Sequence, residues 1–151
     1  MSQKVSLKRR MEKLDEVRLE GMRVVFGDAG TLLIDVDSKA QLKLARELIS
    51  WAWRLLEVVQ VEQTRSKSGN WHLYVTFNRE IPRTERVLLQ GLLGGDPKRA
   101  ILDWQWATQC DAENDHRELS ECFLIETPKY RREVLTDLVP SEFEDSGGGY
   151  I

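Results

Sequence analysis

The sequence predicts one α+β domain, and three observations lead to this prediction. A chain of 151 residues with 41% hydrophobic residues has the size and the apolar content for a single core. Apolar residues recur at helical spacing in residues 39–58, whereas residues 59–64 and 71–77 alternate between apolar and polar types. Clusters of glycine, proline and polar residues separate these segments. We therefore expect a sheet with helices packed against it.

The first third of the chain predicts a helix, a hairpin and a second helix. Residues 1–20 are dense in charge and carry apolar residues at helical spacing, which indicates an amphipathic helix. Residues 22–26 and 31–36 are β-prone runs separated by Gly27-Asp28-Ala29-Gly30, a sequence suited to a tight turn, so we expect a β-hairpin. Ser38 can cap the N-terminus of a helix that runs from about Lys39 to Val58.

The rest of the chain predicts three more strands and one broken helix. Residues 59–64 and 71–77 are strands joined by a loop, and residues 82–91 and 98–108 are helical on either side of Gly94-Gly95-Asp96-Pro97. Residues 111–121 read as a loop, residues 123–127 as a short strand and residues 141–151 as a flexible tail. The predicted domain spans residues 21–140.

Without the N-terminal helix and the extra hairpin strand, the order of elements is βαββαβ. This order is typical of ferredoxin-like and RRM-like sheets, which carry their helices on one face and leave the other face open. In that topology the first and third strands are central neighbours, and the last strand lies beside the first. Residues from three strands would then meet on the open face.

Composition and charge exclude several classes of protein. The formal net charge of −3 with 31% charged residues is neither strongly basic nor typical of a disordered acidic chain. No run approaches the roughly 18 apolar residues of a membrane span, and residues 1–20 lack the apolar stretch of a signal peptide. We expect a cytoplasmic protein without membrane partners and, with only Cys110 and Cys122, without a disulfide framework.

Four polar residues are predicted to meet on the open face of the sheet. Strand periodicity places Asp35 and Asp37 on one face, with His72 on the same side of the neighbouring strand. Glu126 reaches this face from the last strand. Carboxylates at short range repel one another unless a cation lies among them, and such oxygen ligands suit Mg²⁺ or Mn²⁺. These ions commonly assist phosphoryl or nucleotidyl transfer.

The loop before His72 has the chemistry of a phosphate-binding segment. Arg65 and Lys67 are cationic, Ser66 and Ser68 carry hydroxyls, and Gly69 allows backbone N–H groups to approach an anion. We expect this loop to hold a triphosphate.

Two of these segments resemble motifs of the archaeo-eukaryotic primases, including the primase-polymerases. The run LIDVDS at residues 33–38 looks like the first motif of that family, and SKSGNWHLYV at residues 66–75 looks like the second. Ile125-Glu126 is the best candidate for the third, although the family more often has Asp there. Asn70 stands where the family usually has a small residue, and the chain is shorter than a typical catalytic domain of the family.

The resemblance implies a minimal primase-polymerase core that performs template-directed nucleotidyl transfer with two metal ions. Asp35, Asp37 and Glu126 would bind Mg²⁺ or Mn²⁺, and His72 would contact the nucleotide phosphates with Arg65 and Lys67 nearby. The implied partners are single-stranded template, nucleoside triphosphates and a helicase or other replication subunit. Asp103 is a rival for the third acid, in a less suitable helical context.

Other interpretations compete with this one. Asp35 and Asp37 could simply end a strand before a helix N-terminus. The domain could be a non-catalytic RRM-like nucleic-acid-binding module, although only Tyr74 would offer an aromatic ring on the open strands. It could also be a degenerate relative that acts as an interaction subunit through exposed tryptophans, since the Trp-x-Trp pairs at 51/53 and 104/106 cannot all be buried.

A zinc site is a weaker possibility. Cys110, His116 and Cys122 are evenly spaced, but the spacing lacks a short Cys-x₂₋₄-Cys hook, and a fourth ligand is not evident. The pattern therefore argues against zinc.

Overall fold

The computed structural model describes residues 12, 15, 16, 18, 20–26, 29–112 and 123–140. The elements, in chain order, are β1 (Arg23–Phe26), β2 (Thr31–Val36), α1 (Lys39–Trp51), β3 (Val58–Arg65), β4 (Trp71–Phe77), α2 (Arg83–Leu92), α3 (Pro97–Ala112), β5 (Phe123–Glu126) and β6 (Glu133–Val134). The α+β class is confirmed. Among these elements no helix has the length and apolarity needed to cross a membrane.

The main sheet has four antiparallel strands in the order β2-β4-β3-β6. The predicted pairing of β2 with β4 is present, and its register sets Asp35 opposite His72, but β2 lies at the edge of the sheet and not at its centre. β6, which the sequence analysis did not predict, adds two residues to the outer edge of β3. This short strand follows a turn and carries no apolar alternation that local sequence reading could detect.

Two predictions about strand pairing are wrong. β1 does not form a hairpin with β2, and β5 does not pair with β2; instead β1 and β5 pair with each other as a separate antiparallel ribbon. Their register aligns Arg23 with Glu126, and these side chains form an ion pair of 2.6 Å. This ion pair stabilises the ribbon. Because β5 pairs with β1 and not with β2, the complete RRM-like arrangement is not confirmed.

One face of the main sheet forms the larger core with the helices. β2 contributes Leu32, Ile34 and Val36, which pack with Ala45 and Ile49 of α1. This is the predicted assignment of Ile34 and Val36 to the helix side. Burial of these aliphatic side chains is the main source of stability for the layer.

The opposite face is covered, contrary to the prediction of an open face. Leu33 and Tyr74 are each about 1% exposed, and they pack against Leu124 of β5 and Val25 of β1. The ribbon covers this face because β1 and β5 place apolar side chains on it. A pocket lies where the cover ends, beside Asp35 and His72.

The start of α1 follows its local sequence, whereas its end is set by packing in the core. Ser38 caps α1 as predicted, accepting a hydrogen bond from the N–H of Gln41. The helix ends at Trp51, earlier than predicted, because a turn with Glu57 at a φ of 56° brings Trp53 and Val58 into the same core. The apolar residues at helical spacing continue in the sequence beyond Trp51. The chain nevertheless turns there, because Trp53 and Val58, on either side of the turn, are both buried in the core.

The predicted helix break between α2 and α3 is confirmed. Gly94 has a φ of +97°, and a Cβ atom there would lie 3.0 Å from the Cβ of Ala45. Glycine is therefore required both by the backbone conformation and by the close approach of α1. The break turns α3 so that its first residues border the pocket.

Candidate functional site

The site begins with a direct cross-strand pair, Asp35 on β2 and His72 on β4. His72 Nε2 lies 3.6 Å from Asp35 Oδ1, and the histidine is only 4% exposed. Burial lowers the pKa of His72, and this effect together with the nearby Arg99 outweighs the opposing influence of Asp35 and Glu126. The imidazole is therefore neutral at neutral pH.

His72 also carries a polar atom without a partner. Its Nδ1 is buried and makes no hydrogen bond within the described part of the chain. Buried polar atoms are usually paired, since an unpaired one costs about 1–3 kcal/mol. The residue lines the pocket, so a ligand could supply the missing interaction.

Asp37 follows β2 and lies at the rim of the same region. Its Oδ1 accepts a hydrogen bond of 3.2 Å from the side-chain amide of Asn70, which ties the end of β2 to the loop before His72. Partial desolvation raises the pKa of Asp37, and the charges of Asp35 and Asp96 raise it further. The acids repel one another, which is the electrostatic condition that a cation would relieve.

The loop between β3 and β4 is held by its own hydrogen bonds. Ser66 Oγ lies 2.9 Å from Ser68 Oγ and accepts a bond of 3.1 Å from the N–H of Asn70. Gly69 has a φ of +91°, and its N–H donates to the carbonyl of Ser66. The backbone N–H groups of Lys67 and Ser68 donate no hydrogen bond to any described residue, so both are available to an anion.

The two cations of the loop have different environments. Arg65 donates two hydrogen bonds to the carbonyl of Gly69 and stacks over Trp71 at 4.9 Å, so it stabilises the loop and is not among the residues that line the pocket. Lys67 does line the pocket, and its highly exposed ammonium group forms only a loose ion pair of 3.7 Å with Glu20. Lys67 is the better placed of the two for a ligand.

A pocket of about 880 Å³ joins several of these groups, but Asp37 and Arg65 are not among the residues that line it. Of the predicted site residues it contains Asp35, Ser66, Lys67, Ser68 and His72. Its volume falls within the range of about 300–1,000 Å³ that small-molecule sites occupy. Nucleotide-sized ligands therefore fit the dimensions of the pocket.

The beginning of α3 contributes residues that the sequence analysis did not select. Asp96, Lys98 and Arg99 line the pocket, and Asp96 Oδ1 caps the helix by accepting from the N–H of Lys98. Gly94-Gly95-Asp96-Pro97 signals a helix start, and that signal could have identified the neighbouring cations. The sequence predicts a helix at residues 98–108 after this motif, but nothing local indicates which strand the helix would face.

Asp103, the rival third acid, also lines this pocket. It is 8% exposed, lies 3.7 Å from Arg99 Nε and accepts a hydrogen bond of 3.4 Å from Gln90. A helical position therefore did not keep this carboxylate from the site. Proximity to the other acids came from the packing of α3.

Glu126 has a different environment. It is not among the residues lining the pocket, and its carboxylate is paired with Arg23 and Arg132, each at 2.6 Å. Burial acts to raise the pKa of Glu126, but contacts from Tyr74 and the two arginines outweigh it, so the pKa is lowered. Burial also raises the pKa of the Tyr74 phenol, and the adjacent carboxylate raises it further. Arg132 stacks on the ring of Tyr74 at 4.1 Å.

Asp35 and Asp37 are the carboxylates from which a possible metal site can be assessed. Within the described ranges, no group of three or more His, Cys, Asp or Glu side chains is arranged to hold an ion. Mg²⁺ is commonly bound through one or two carboxylates together with waters and substrate phosphates, and not by a complete cage of protein ligands. Asp35 and Asp37 with their mutual repulsion fit that mode. The possible zinc ligands Cys110, His116 and Cys122 lie outside the side chains that the structure describes.

In each Trp-x-Trp pair one tryptophan is buried and the other is exposed, as predicted. Trp53 and Trp106 are buried, whereas Trp51 and Trp104 are 69% and 43% exposed. The exposed members lie outside the pocket.

No protein-family model, no curated protein and no solved structure matches this chain.

Proposed function

We propose that the chain is a minimal primase-polymerase-like nucleotidyltransferase that adds nucleotides to a strand paired with a single-stranded template. The observation that carries this proposal is the shared pocket of Asp35, His72 and the Ser66–Ser68 loop. Carboxylates, a neutral imidazole and an anion-receptive loop are the groups that a metal-dependent triphosphate reaction needs.

Each residue has a separate task in this proposal. Asp35 and Asp37 bind Mg²⁺ or Mn²⁺, which would neutralise phosphate charge and lower the pKa of the attacking 3′-hydroxyl. The backbone N–H groups of Lys67 and Ser68, which make no hydrogen bond to the described residues, bind phosphate oxygens. His72, neutral and buried, donates a hydrogen bond to the nucleotide through a ring N–H. No side-chain base is required.

The third acid is assigned to Asp103 or Glu126, and the contacts favour Asp103. Asp103 lines the pocket, whereas both oxygens of Glu126 are engaged by arginines. A carboxylate that two arginines hold at 2.6 Å gains less from a metal ion than Asp103, which Arg99 approaches to 3.7 Å.

The competing RRM-like binding module loses its main support. Such modules stack bases on exposed aromatic residues of the sheet. Tyr74, the aromatic candidate for that role, is about 1% exposed beneath β5 and Arg132. A base therefore has no access to this ring.

The test is primer extension and de novo synthesis on a single-stranded template, with Mg²⁺ or Mn²⁺ and with ribonucleotides and deoxyribonucleotides in turn. Asp35→Asn/Asp37→Asn should abolish incorporation while circular dichroism stays unchanged. Asp137→Asn is the matched control, because that carboxylate pairs with Arg46 away from the pocket. Absence of incorporation by the wild type in every mixture, with no metal binding by calorimetry, would overturn the proposal and favour an interaction subunit.

A further inference from the structure

Arg99 lies between two acids at the opening of α3. Its Nη1 is 3.2 Å from Asp35 Oδ2, and its Nε is 3.7 Å from Asp103 Oδ2. The Arg99 side chain is 28% exposed and the two carboxylate side chains are 22% and 12% exposed. The guanidinium therefore neutralises two partly buried carboxylates within the pocket.

The two oxygens of Asp35 are both occupied by cationic or potentially donating groups. Oδ2 contacts Arg99 and Oδ1 faces His72. A metal ion that approached Asp35 would meet the fixed positive charge of Arg99 at close range, and like charges at this distance repel strongly. Metal and Arg99 therefore compete for one carboxylate.

A guanidinium can exchange this carboxylate for a phosphate without changing its mode of binding. The planar fork of arginine fits both groups with parallel N–H···O bonds. Lys67 and Lys98 line the same pocket, and His72 lines it as well. The groups around Arg99 thus favour an anionic ligand with several oxygens.

We propose that Arg99 is a nucleotide-binding residue. In the ligand-free protein its guanidinium contacts Asp35 and Asp103, and it leaves them to bind the triphosphate when a nucleotide enters with its metal ion. This inference rests on the proposed function, since it identifies the residue that links metal binding to nucleotide binding. A ligand shifts such an equilibrium only through its different affinity for the two arrangements. Metal alone has to displace Arg99, whereas metal with nucleotide offers Arg99 a new partner.

The proposal predicts opposite effects of one substitution. Arg99→Gln removes the competing charge, so Mn²⁺ without nucleotide should bind about twofold to fivefold more tightly, as expected for loss of a partly exposed ion pair. The same substitution removes a charged contact to the triphosphate, so a non-hydrolysable nucleoside triphosphate with Mn²⁺ should bind about tenfold more weakly. A residue that only supported the fold would weaken both.

The measurements are Mn²⁺ binding by electron paramagnetic resonance and nucleotide binding by calorimetry, on the full chain. Arg99→Lys keeps the charge but not the fork, so it should leave Mn²⁺ affinity near the wild-type value and weaken nucleotide binding. Arg46→Gln is the matched control, because Arg46 has a similarly exposed side chain of 30% and pairs with Asp137 instead. It should change neither affinity.

The outcomes separate this inference from the proposed function. If Arg99→Gln weakens or leaves unchanged the binding of Mn²⁺ alone, the competition is disproved even if the wild type incorporates nucleotides. If Arg99→Gln does not fold, Arg99→Lys decides, because unchanged nucleotide affinity in that variant also overturns the inference. If the wild type binds neither Mn²⁺ nor nucleotide, the proposed function itself fails.

Discussion

Two clusters of charge lie on the same face of the main sheet, and they differ in how completely their acids are neutralised. At the Glu126 cluster, two arginines approach the carboxylate to 2.6 Å each, and the pKa of Glu126 is lowered. At the Asp35 cluster, contacts are longer, at 3.2 and 3.6 Å, and the pKa of Asp37 is raised.

The difference separates a saturated arrangement of charges from an incompletely satisfied one that is built from the same residue types. Saturated ion pairs hold β1 to β5 and close the face over Tyr74. Incompletely satisfied groups beside a pocket retain capacity for a ligand, which is why perturbed and unpaired groups tend to mark functional sites. Acid identity alone would not distinguish the two clusters.

The largest expected effect concerns activity at the Asp35 cluster. On the proposed function, Asp35→Asn should reduce nucleotide incorporation by about 100–1,000-fold, because loss of a carboxylate that binds the metal would remove several kcal/mol of transition-state stabilisation. The partly exposed pair with Arg99 makes the stability change small, below about 1 kcal/mol. Steady-state incorporation and urea unfolding measure the two quantities. If Asp35→Asn lowered stability enough to explain its loss of activity, Asp35 would have a structural role like that of Glu126.

The next effect concerns stability at the Glu126 cluster. Glu126→Gln should lower the free energy of unfolding by about 2 kcal/mol, since it removes charge from two hydrogen-bonded pairs in a largely buried site. Glu62→Gln is the matched control, because Glu62 contacts the same Arg132 only at 3.8 Å, and it should cost less than about 0.5 kcal/mol. Urea denaturation compares the variants. A stable Glu126→Gln protein without metal affinity would instead make Glu126 a ligand.

A smaller effect identifies the third acid. Asp103→Asn should reduce incorporation by about tenfold, while any loss in folded Glu126→Gln protein should be below about threefold, as expected when one group touches the reacting region and the other does not. Rates per folded molecule, measured after correction for the unfolded fraction, are the required comparison. The reverse ranking would support Ile125-Glu126 as the third motif.

The smallest effect is a difference in pH dependence between the clusters. Because the pKa of His72 is lowered on folding, the unfolded chain binds its proton first, and stability falls as the pH decreases below the ordinary value of 6.5 until the folded-state pKa is passed. Glu126 has a lowered pKa, so its contribution is present above 4.5 and is lost only as the pH falls through the folded value.

Unfolding of wild type and His72→Gln between pH 8 and 5 tests this difference. The wild type should lose stability relative to His72→Gln as the pH falls through this interval, whereas Glu126→Gln should parallel the wild type above pH 5. A wild-type curve parallel to that of His72→Gln would mean that the histidine is not desolvated as its 4% exposure indicates.

Local sequence was sufficient for the elements and for part of the site. The alternation in residues 71–77 predicted β4, Ser38 predicted the start of α1, and Gly94 marked the break before α3. The same alternation put His72 on the side of Asp35, because side chains two residues apart share a strand face. These features depend on short-range geometry, which a sequence specifies directly.

Tertiary structure alone decided which strands pair and which groups share the pocket. The pairing of β1 with β5 joins residues about one hundred positions apart, as in the Arg23 and Glu126 contact, and no local pattern chooses between that partner and β2. Arg99 and Asp103 enter the site because α3 packs against α2, which lies on β2, and Arg99 then reaches Asp35. Glu126 leaves the site because Arg23, which is distant in sequence, and the nearby Arg132 neutralise it. Periodicity fixes the face on which a residue lies, but the charge that compensates it comes from elements that are distant in sequence.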